Sequence, residues 1–181
     1  MFVKRYSNVS EGPTQWQKIK TVKSSIYNWN ESSTYVKKPP FFENLTDKPE
    51  GFKEIKNAGD IGNKSVGRGA AFGDIDNDGD IDIVISNNNN NSNLLINLSK
   101  PGNNWINVEL EGVTCNRDAI GSKLELQSKS GTQVAWVNPG ASYLASNDKR
   151  ILFGLSKDMY VDNLIIHWPD GLKESFNNLE V

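Results

Sequence analysis

The sequence predicts an all-β protein, and two observations support this fold class. After the first 40 residues, apolar and polar side chains alternate with a period of two, for example over residues 106–110, 124–126 and 164–168. This period places the apolar side chains of a strand on one face of a sheet. Turn-forming runs such as Asn138-Pro139-Gly140 and Pro169-Asp170-Gly171 separate the alternating segments. Short alternating strands joined by such turns are typical of a β-sandwich or barrel.

The charge distribution predicts a boundary near residue 40. Residues 1–40 carry seven basic and two acidic side chains, a net charge of +5, whereas residues 41–181 carry 13 basic and 20 acidic ones, a net charge of −7. The run Lys37-Lys38-Pro39-Pro40 lies at this change, and its two prolines interrupt regular structure. We therefore expect a basic N-terminal segment at 1–40, a second region at 41–100 and a third at 101–181.

The N-terminal segment has two readings. Its apolar residues are spaced three or four positions apart, which would align them on one face of a helix. These residues are Trp16, Ile19, Val22, Ile26 and Trp29. The same residue types also favour short strands in a loop-rich segment. Both readings remain open at this point.

Composition excludes several classes of function. The chain has 181 residues with 20 basic and 22 acidic side chains, so it lacks the concentrated basic footprint of a nucleic-acid-binding protein. No apolar run approaches the roughly 20 residues needed to span a bilayer, so we expect no membrane insertion, and no signal peptide is visible. The single cysteine, Cys115, and the single histidine, His167, argue against disulfide frameworks, zinc clusters and most histidine-dependent hydrolases. We expect no enzymatic activity.

Residues 74–82 carry the strongest chemical signal in the chain. They read Asp-Ile-Asp-Asn-Asp-Gly-Asp-Ile-Asp, which places five carboxylates at alternate positions within nine residues. Such carboxylates repel one another unless a cation lies among them, and a glycine at position 6 permits the sharp turn of a calcium loop. The sequence therefore predicts a Ca²⁺ site. Its candidate ligands are Asp74, Asp76, Asp78, Asp80 and Asp82.

The expected ligand roles follow from position in the loop. The first three aspartates would supply carboxylate oxygens, Asp80 would offer its backbone carbonyl, and Asp82 would close the shell with its carboxylate. The loop differs from an EF-hand because position 12 is Ile85 rather than glutamate, and an alternating strand follows directly. Magnesium is the main rival ion. Transition metals are disfavoured because the loop contains neither histidine nor cysteine.

The chain resembles two known families in succession. The segment Ser-Val-Gly-Arg-Gly-Ala-Ala-Phe-Gly at residues 65–73, followed by the acidic loop, resembles the FG-GAP/VCBS repeat, a β-propeller blade motif with a calcium loop. Further on, Asn116-Arg117-Asp118-Ala119-Ile120-Gly121, Phe153-Gly154-Leu155 and His167-Trp168-Pro169-Asp170-Gly171 resemble the ASPIC/UnbV domain. The combination is similar to the C-terminal part of bacterial proteins related to cartilage acidic protein.

The resemblance implies a fold and a setting. It implies a propeller-blade portion at 41–100 followed by an antiparallel β-sandwich at 101–181, in a protein that is extracellular or at the cell surface. It also implies that the chain is truncated at both ends, and it supplies no catalytic residues. We expect a calcium-stabilised, non-enzymatic module for adhesion or protein recognition. The alternative is a carbohydrate-binding or accessory domain of a larger enzyme, and the expected partner is an extracellular protein or a glycan.

Three smaller features have plain structural interpretations. Residues 146–149 read Ser-Asn-Asp-Lys and are interpreted as a polar turn before a strand at 150–155. His167 is interpreted as a partly exposed strand residue, without a nucleophile or a carboxylate beside it. Trp105 is treated as an exposed aromatic that stacks on a sugar ring in the carbohydrate-binding alternative, although a cross-strand or inter-domain contact is the better explanation.

Overall fold

The structure is a computed structural model, and it describes residues 16–22, 42–45, 51–55, 64–98 and 102–181. The described residues form an all-β protein whose strands pair antiparallel throughout, as the sequence predicts. The strands are β1 (Trp16–Val22), β2 (Phe42–Leu45), β3 (Gly51–Glu54), β4 (Gly67–Gly73), β5 (Asp82–Asn87), β6 (Ser92–Asn97), β7 (Asn104–Val108), β8 (Lys123–Ser128), β9 (Gly131–Trp136), β10 (Ile151–Ser156), β11 (Tyr160–His167) and β12 (Lys173–Glu180). Among these residues, no helix is long and apolar enough to cross a membrane.

The first sheet contains four strands in the order β1-β6-β5-β4. Its small core centres on Leu95, which is 1% exposed and packs against Ile55, Ile83 and Ile85. The strands β4 and β5 are joined by the acidic loop, so the sheet fixes both ends of that loop. A separate hairpin pairs β2 with β3.

The strand β1 distinguishes between the two interpretations of the N-terminal segment. Residues 16–22 pair with β6, so the strand reading is confirmed there and the helix reading is wrong. The β-branched residues of this stretch favour an extended backbone that can complete a sheet edge. Ile26 and Trp29, which extended the helical pattern, lie outside the described residues.

The C-terminal part is built from two sheets that share one hydrophobic core. One sheet pairs β7 with β10, and the other has the order β12-β11-β8-β9. The shared core is formed by alternate side chains of both sheets. It includes Ile106, Val108, Leu124, Leu126, Phe153, Leu155, Val161, Leu164 and Ile166, each at most 3% exposed. The period of two read from the sequence therefore corresponds to one buried face on β8 and β11.

The strand β7 departs from that alternation. Trp105 and Asn107 were expected on the polar side of the strand, yet they are 5% and 2% exposed. The treatment of Trp105 as an exposed aromatic is therefore wrong, whereas the preferred explanation, a cross-strand or inter-domain contact, agrees with its contact with the acidic loop. The physical reason is that β7 is covered on both sides, by the shared core on one side and by the acidic loop on the other, where the indole of Trp105 meets Gly79.

Candidate metal centre

The loop between β4 and β5 brings three of the five predicted ligands together. Carboxylate oxygens of Asp74, Asp76 and Asp78 all lie within 4.8 Å of one another. Asp74 is buried, Asp78 is half-buried and Asp76 is exposed, so the cluster opens to solvent on one side. Three hard oxygen donors at this spacing supply part of the shell of roughly six to eight oxygens that calcium takes.

Main-chain hydrogen bonds hold the loop in its turn. The two carboxylate oxygens of Asp74 accept the N–H groups of Asp78 at 3.0 Å and of Gly79 at 3.2 Å. Asp78 accepts the N–H of Asp80 at 2.9 Å. Asn77 and Gly79 have φ angles of 61° and 90°, which asparagine and glycine adopt more readily than other residues. The acidic run therefore folds into a compact arc held by its own main-chain N–H groups.

The other two predicted ligands lie outside this triplet and differ from each other. Asp82 is fully buried, and its two carboxylate oxygens accept the N–H groups of Ile75 and Asn97, both at 2.8 Å. It therefore ties the start of the loop to β6. The Oδ2 atom of Asp80 is buried and has no hydrogen-bond partner among the described residues. A buried carboxylate oxygen without a donor can be satisfied by an ordered water or by an ion.

Burial and mutual repulsion raise the proton affinity of the loop. Burial, reinforced by the charges of the neighbouring carboxylates, raises the pKa of Asp80 to about 6. Burial also raises the pKa of Asp74, Asp78 and Asp82, although main-chain N–H donors partly oppose the shift in each case. The ionised loop is therefore electrostatically unfavourable by itself, and a bound cation would offset this cost.

The residues present fit a hard divalent cation. The donor set consists of oxygens only, and histidine and cysteine are absent from the loop. The orphaned Oδ2 atom of Asp80 adds a further oxygen beside the triplet. This chemistry suits calcium, and it suits magnesium where several waters complete an octahedron. The arrangement can bind and hold an ion.

Residues far along the chain support the loop, and of these contacts the sequence predicted only that Trp105 makes a cross-strand or inter-domain contact. The guanidinium of Arg150 donates to Asn77 Oδ1 and to the backbone oxygen of Asp74, both at 2.5 Å. The indole of Trp105 lies so close to Gly79 that a methyl group at that position would overlap the ring. Residues 146–149 are a polar segment before β10, as predicted, but Asn147 and Asp148 also contact β4. The only sequence signal for these contacts was the glycine at position 6 of the loop.

His167 lies far along the chain from the loop. It is half-buried on β11, which agrees with its interpretation as a partly exposed strand residue. Its Nε2 atom lies 3.3 Å from a carboxylate oxygen of Glu125 on β8, so the expectation that no carboxylate lies beside it is wrong. That neighbour follows from the register of β8 with β11, which the sequence alone did not supply.

Comparison with known families identifies the C-terminal segment. The family described as "ASPIC and UnbV" matches residues 112–181, which contain β8 to β12. An ASPIC/UnbV domain is therefore present in this segment, as the resemblance in sequence had implied. The match begins after the acidic loop and after Trp105, so the candidate metal centre lies outside it.

Comparison with curated proteins finds short matches to aconitate hydratase A. The enzyme of Bradyrhizobium diazoefficiens is 50% identical over 58 residues, and that of Legionella pneumophila is 52% identical over 58 residues. The enzyme of Pseudomonas aeruginosa is 38% identical over 58 residues. Each match covers 32% of this chain and 6% of the relative, so the chain spans only about 6% of the length of these relatives.

Proposed function

We propose that this chain is a non-enzymatic calcium-binding module, in which the ion holds the acidic loop between β4 and β5. The observation that carries the proposal is the convergence of three aspartate oxygens within 4.8 Å, beside the orphaned carboxylate oxygen of Asp80. Asp74, Asp76 and Asp78 supply carboxylate oxygens, and Asp80 and Asp82 complete the site. Calcium is the proposed ion because the loop offers many flexible oxygen donors rather than a strict octahedron.

The proposal extends to the architecture. The four-stranded antiparallel sheet that carries the loop is proposed to be an FG-GAP/VCBS-like blade, since it has the strand–loop–strand order of that motif. The two sheets around the shared core are proposed to form a β-sandwich. A blade covers its faces only against neighbouring structure, so Phe72, at 40% exposed, and Val84, at 37%, support a role in contact with further protein.

The proposed setting is extracellular or at the cell surface, with a protein or glycan as partner. Calcium loops of extracellular modules bind in the 10⁻⁴–10⁻³ M range, which matches the calcium level outside cells. Under that condition the site is filled in a large share of the molecules, and the ion stabilises the folded module. Adhesion or protein recognition follows as the proposed role.

The carbohydrate-binding alternative is favoured less. It calls for a row of exposed aromatic side chains on one sheet face. On the outward face of the sheet β12-β11-β8-β9, Trp136 is 51% exposed, but its cross-strand neighbour is Lys123, whose ammonium lies 5.7 Å from the ring. Hydratase activity is not proposed, because the similarity to those enzymes covers only 6% of their length.

Calorimetric titration tests the proposal directly. The chain, stripped with EDTA, is titrated with calcium and separately with magnesium. We expect one calcium site with a dissociation constant of about 10⁻⁴–10⁻³ M and weaker binding of magnesium. The double variant Asp76→Asn/Asp78→Asn is expected to lose the heat of binding.

The matched control changes two acidic side chains outside the loop. Asp162 and Glu180 are both exposed on the C-terminal sheets. The variant Asp162→Asn/Glu180→Gln removes the same net charge and is expected to bind calcium as the wild type does. Absence of calcium binding by the folded wild-type chain contradicts the proposal.

A further inference from the structure

A segment of the C-terminal part covers the edge strand of the sheet that carries the loop. The N–H of Asp148 donates to the backbone oxygen of Phe72 at 2.9 Å, and the N–H of Phe72 donates to Asn147 Oδ1 at 3.1 Å. A Cβ atom placed on Gly73 would stand 2.8 Å from the Cβ atom of Asp148. These contacts pair the last residues of β4 with a segment about 75 residues away, directly before the acidic loop begins.

Arg150 extends this contact into the loop itself. Its guanidinium holds the first ligand residue, through the backbone oxygen of Asp74, and the middle of the turn, through the side chain of Asn77. The same guanidinium pairs with the carboxylate of Asp148, with a Nη2–Oδ2 distance of 2.6 Å. The side chains of Arg150 and Asp148 are 21% and 27% exposed, so this network is largely removed from solvent.

Trp105 contacts the loop from a second direction. It projects from β7, is 5% exposed, and lies against the α-carbon of Gly79 at the apex of the turn. Together, Arg150 holds the first half and Trp105 the apex of the arc that presents the three clustered carboxylates. Neither residue belongs to the predicted ligand set.

We propose that Arg150 and Trp105 are positioning residues for the cation site, and that filling the site tightens the packing of segment 147–150 against β4. The inference rests on the proposed function of the loop. A turn that is already held in its binding geometry loses less conformational entropy when it binds an ion. Outer-shell partners of a metal site commonly supply this restraint. By thermodynamic linkage, the ion must strengthen the same contacts that strengthen its own binding.

The positive charge of Arg150 weakens cation binding, whereas its hydrogen bonds to the loop strengthen it. A guanidinium near a cation site repels the incoming ion. Here the guanidinium is paired with Asp148, and it also donates to an amide oxygen and a backbone oxygen in the loop. The pair carries little net charge, so positioning outweighs repulsion.

One variant of the whole chain, compared with a control variant, separates the positioning effect of Arg150 from the effect of its charge. Arg150→Lys keeps the positive charge but loses the planar, multiply donating fork. Calorimetric titration with calcium is expected to show at least about tenfold weaker binding than the wild type, as is usual when an outer-shell partner is lost. Arg117→Lys is the matched control, because Arg117 pairs with Glu111 at 3.0 Å, away from the loop. It is expected to bind as the wild type does.

The outcomes are distinguishable. If the wild type binds calcium and Arg150→Lys binds it equally or more tightly, the inference is overturned but the proposed calcium site is not. Absence of binding by the wild type overturns both.

A second measurement needs no substitution and therefore does not depend on how a variant folds. Hydrogen exchange of the wild-type Asp148 amide, which donates to Phe72, is expected to slow several-fold when calcium is added. The amide of Val137, which donates to Ser122 within the C-terminal part, is the internal reference. Equal exchange of the Asp148 amide with and without saturating calcium overturns the coupling.

Discussion

The indole of Trp105 closes over Gly79, the glycine at position 6 of the acidic loop. This contact joins a strand of the C-terminal part to the apex of the turn that gathers the carboxylates. Gly79 meets two demands at once, because its φ angle of 90° disfavours a side chain and the ring leaves no room for one. The glycine is therefore needed for packing as well as for the turn.

The first prediction concerns Gly79→Ala. A positive φ costs roughly 1–2 kcal/mol for alanine, and overlap with the indole adds about 1–3 kcal/mol. We expect a loss of about 2–5 kcal/mol in the free energy of unfolding, measured by urea denaturation. Gly171→Ala is the matched control, since Gly171 also has a φ of 90° but no described atom lies within 4 Å of the place its Cβ would occupy. A loss no larger than that of the control would show that the Trp105 contact contributes nothing.

The second prediction separates the structural role of Asp82 from that of the exposed ligand Asp76. Asp82→Ala leaves the N–H groups of Ile75 and Asn97 without their acceptor. We expect it to lower the free energy of unfolding by about 1–3 kcal/mol even in EDTA, after relief of repulsion in the loop. Asp76→Ala is expected to lower the free energy of unfolding only when calcium is present, and in EDTA to leave it unchanged or raise it, because repulsion among the loop carboxylates is relieved. Equal changes in the free energy of unfolding for the two variants in EDTA would contradict the structural role assigned to Asp82.

The third prediction is a pH dependence of the ion-free chain. Burial and neighbouring carboxylates raise the pKa of Asp80 to about 6, above its ordinary value of 3.8. A group with a raised pKa in the folded state contributes stability that is present below its unfolded pKa and is lost as the pH rises through the folded pKa. We therefore expect the midpoint of thermal unfolding in EDTA to fall between about pH 4 and pH 7.

Calcium and a variant provide the controls for this pH dependence. Saturating calcium is expected to reverse the trend, since the ion binds the ionised carboxylates. Asp80→Asn is expected to flatten the curve in EDTA. A midpoint in EDTA that rises steadily over the same pH range would contradict the account. The lowered pKa values of Asp158 and Asp170, caused chiefly by hydrogen bonds from Ser130 and Thr114, act mainly at more acidic pH.

Local patterns in the sequence were sufficient to predict the fold class and the turn formed by the acidic loop. Alternation places Leu164 and Ile166 in the core, and the acidic run with its central glycine folds into the predicted turn. Contacts between distant segments were not predictable in this way. Nothing near Arg150 in the sequence indicates that it reaches Asn77, because that contact depends on how the two parts of the chain pack.

The same limit explains why the expectation that Trp105 is exposed was wrong. A period of two predicts that one face of a strand is polar and exposed, but it does not indicate when a second layer covers that face. The acidic loop is that second layer. The N-terminal stretch shows the converse case, in which spacing compatible with a helix was overridden by pairing of residues 16–22 with β6.

The most direct test of the central claim is thermal unfolding with and without calcium, for the wild type and for Asp76→Ala/Asp78→Ala. At a hundred times the dissociation constant, an ion that binds only the folded state adds about 2.7 kcal/mol, which corresponds to a rise of about 5–10 °C for a chain of this size. The account predicts this rise for the wild type and its absence in the double variant. An unchanged wild-type midpoint would contradict the claim that calcium stabilises the loop.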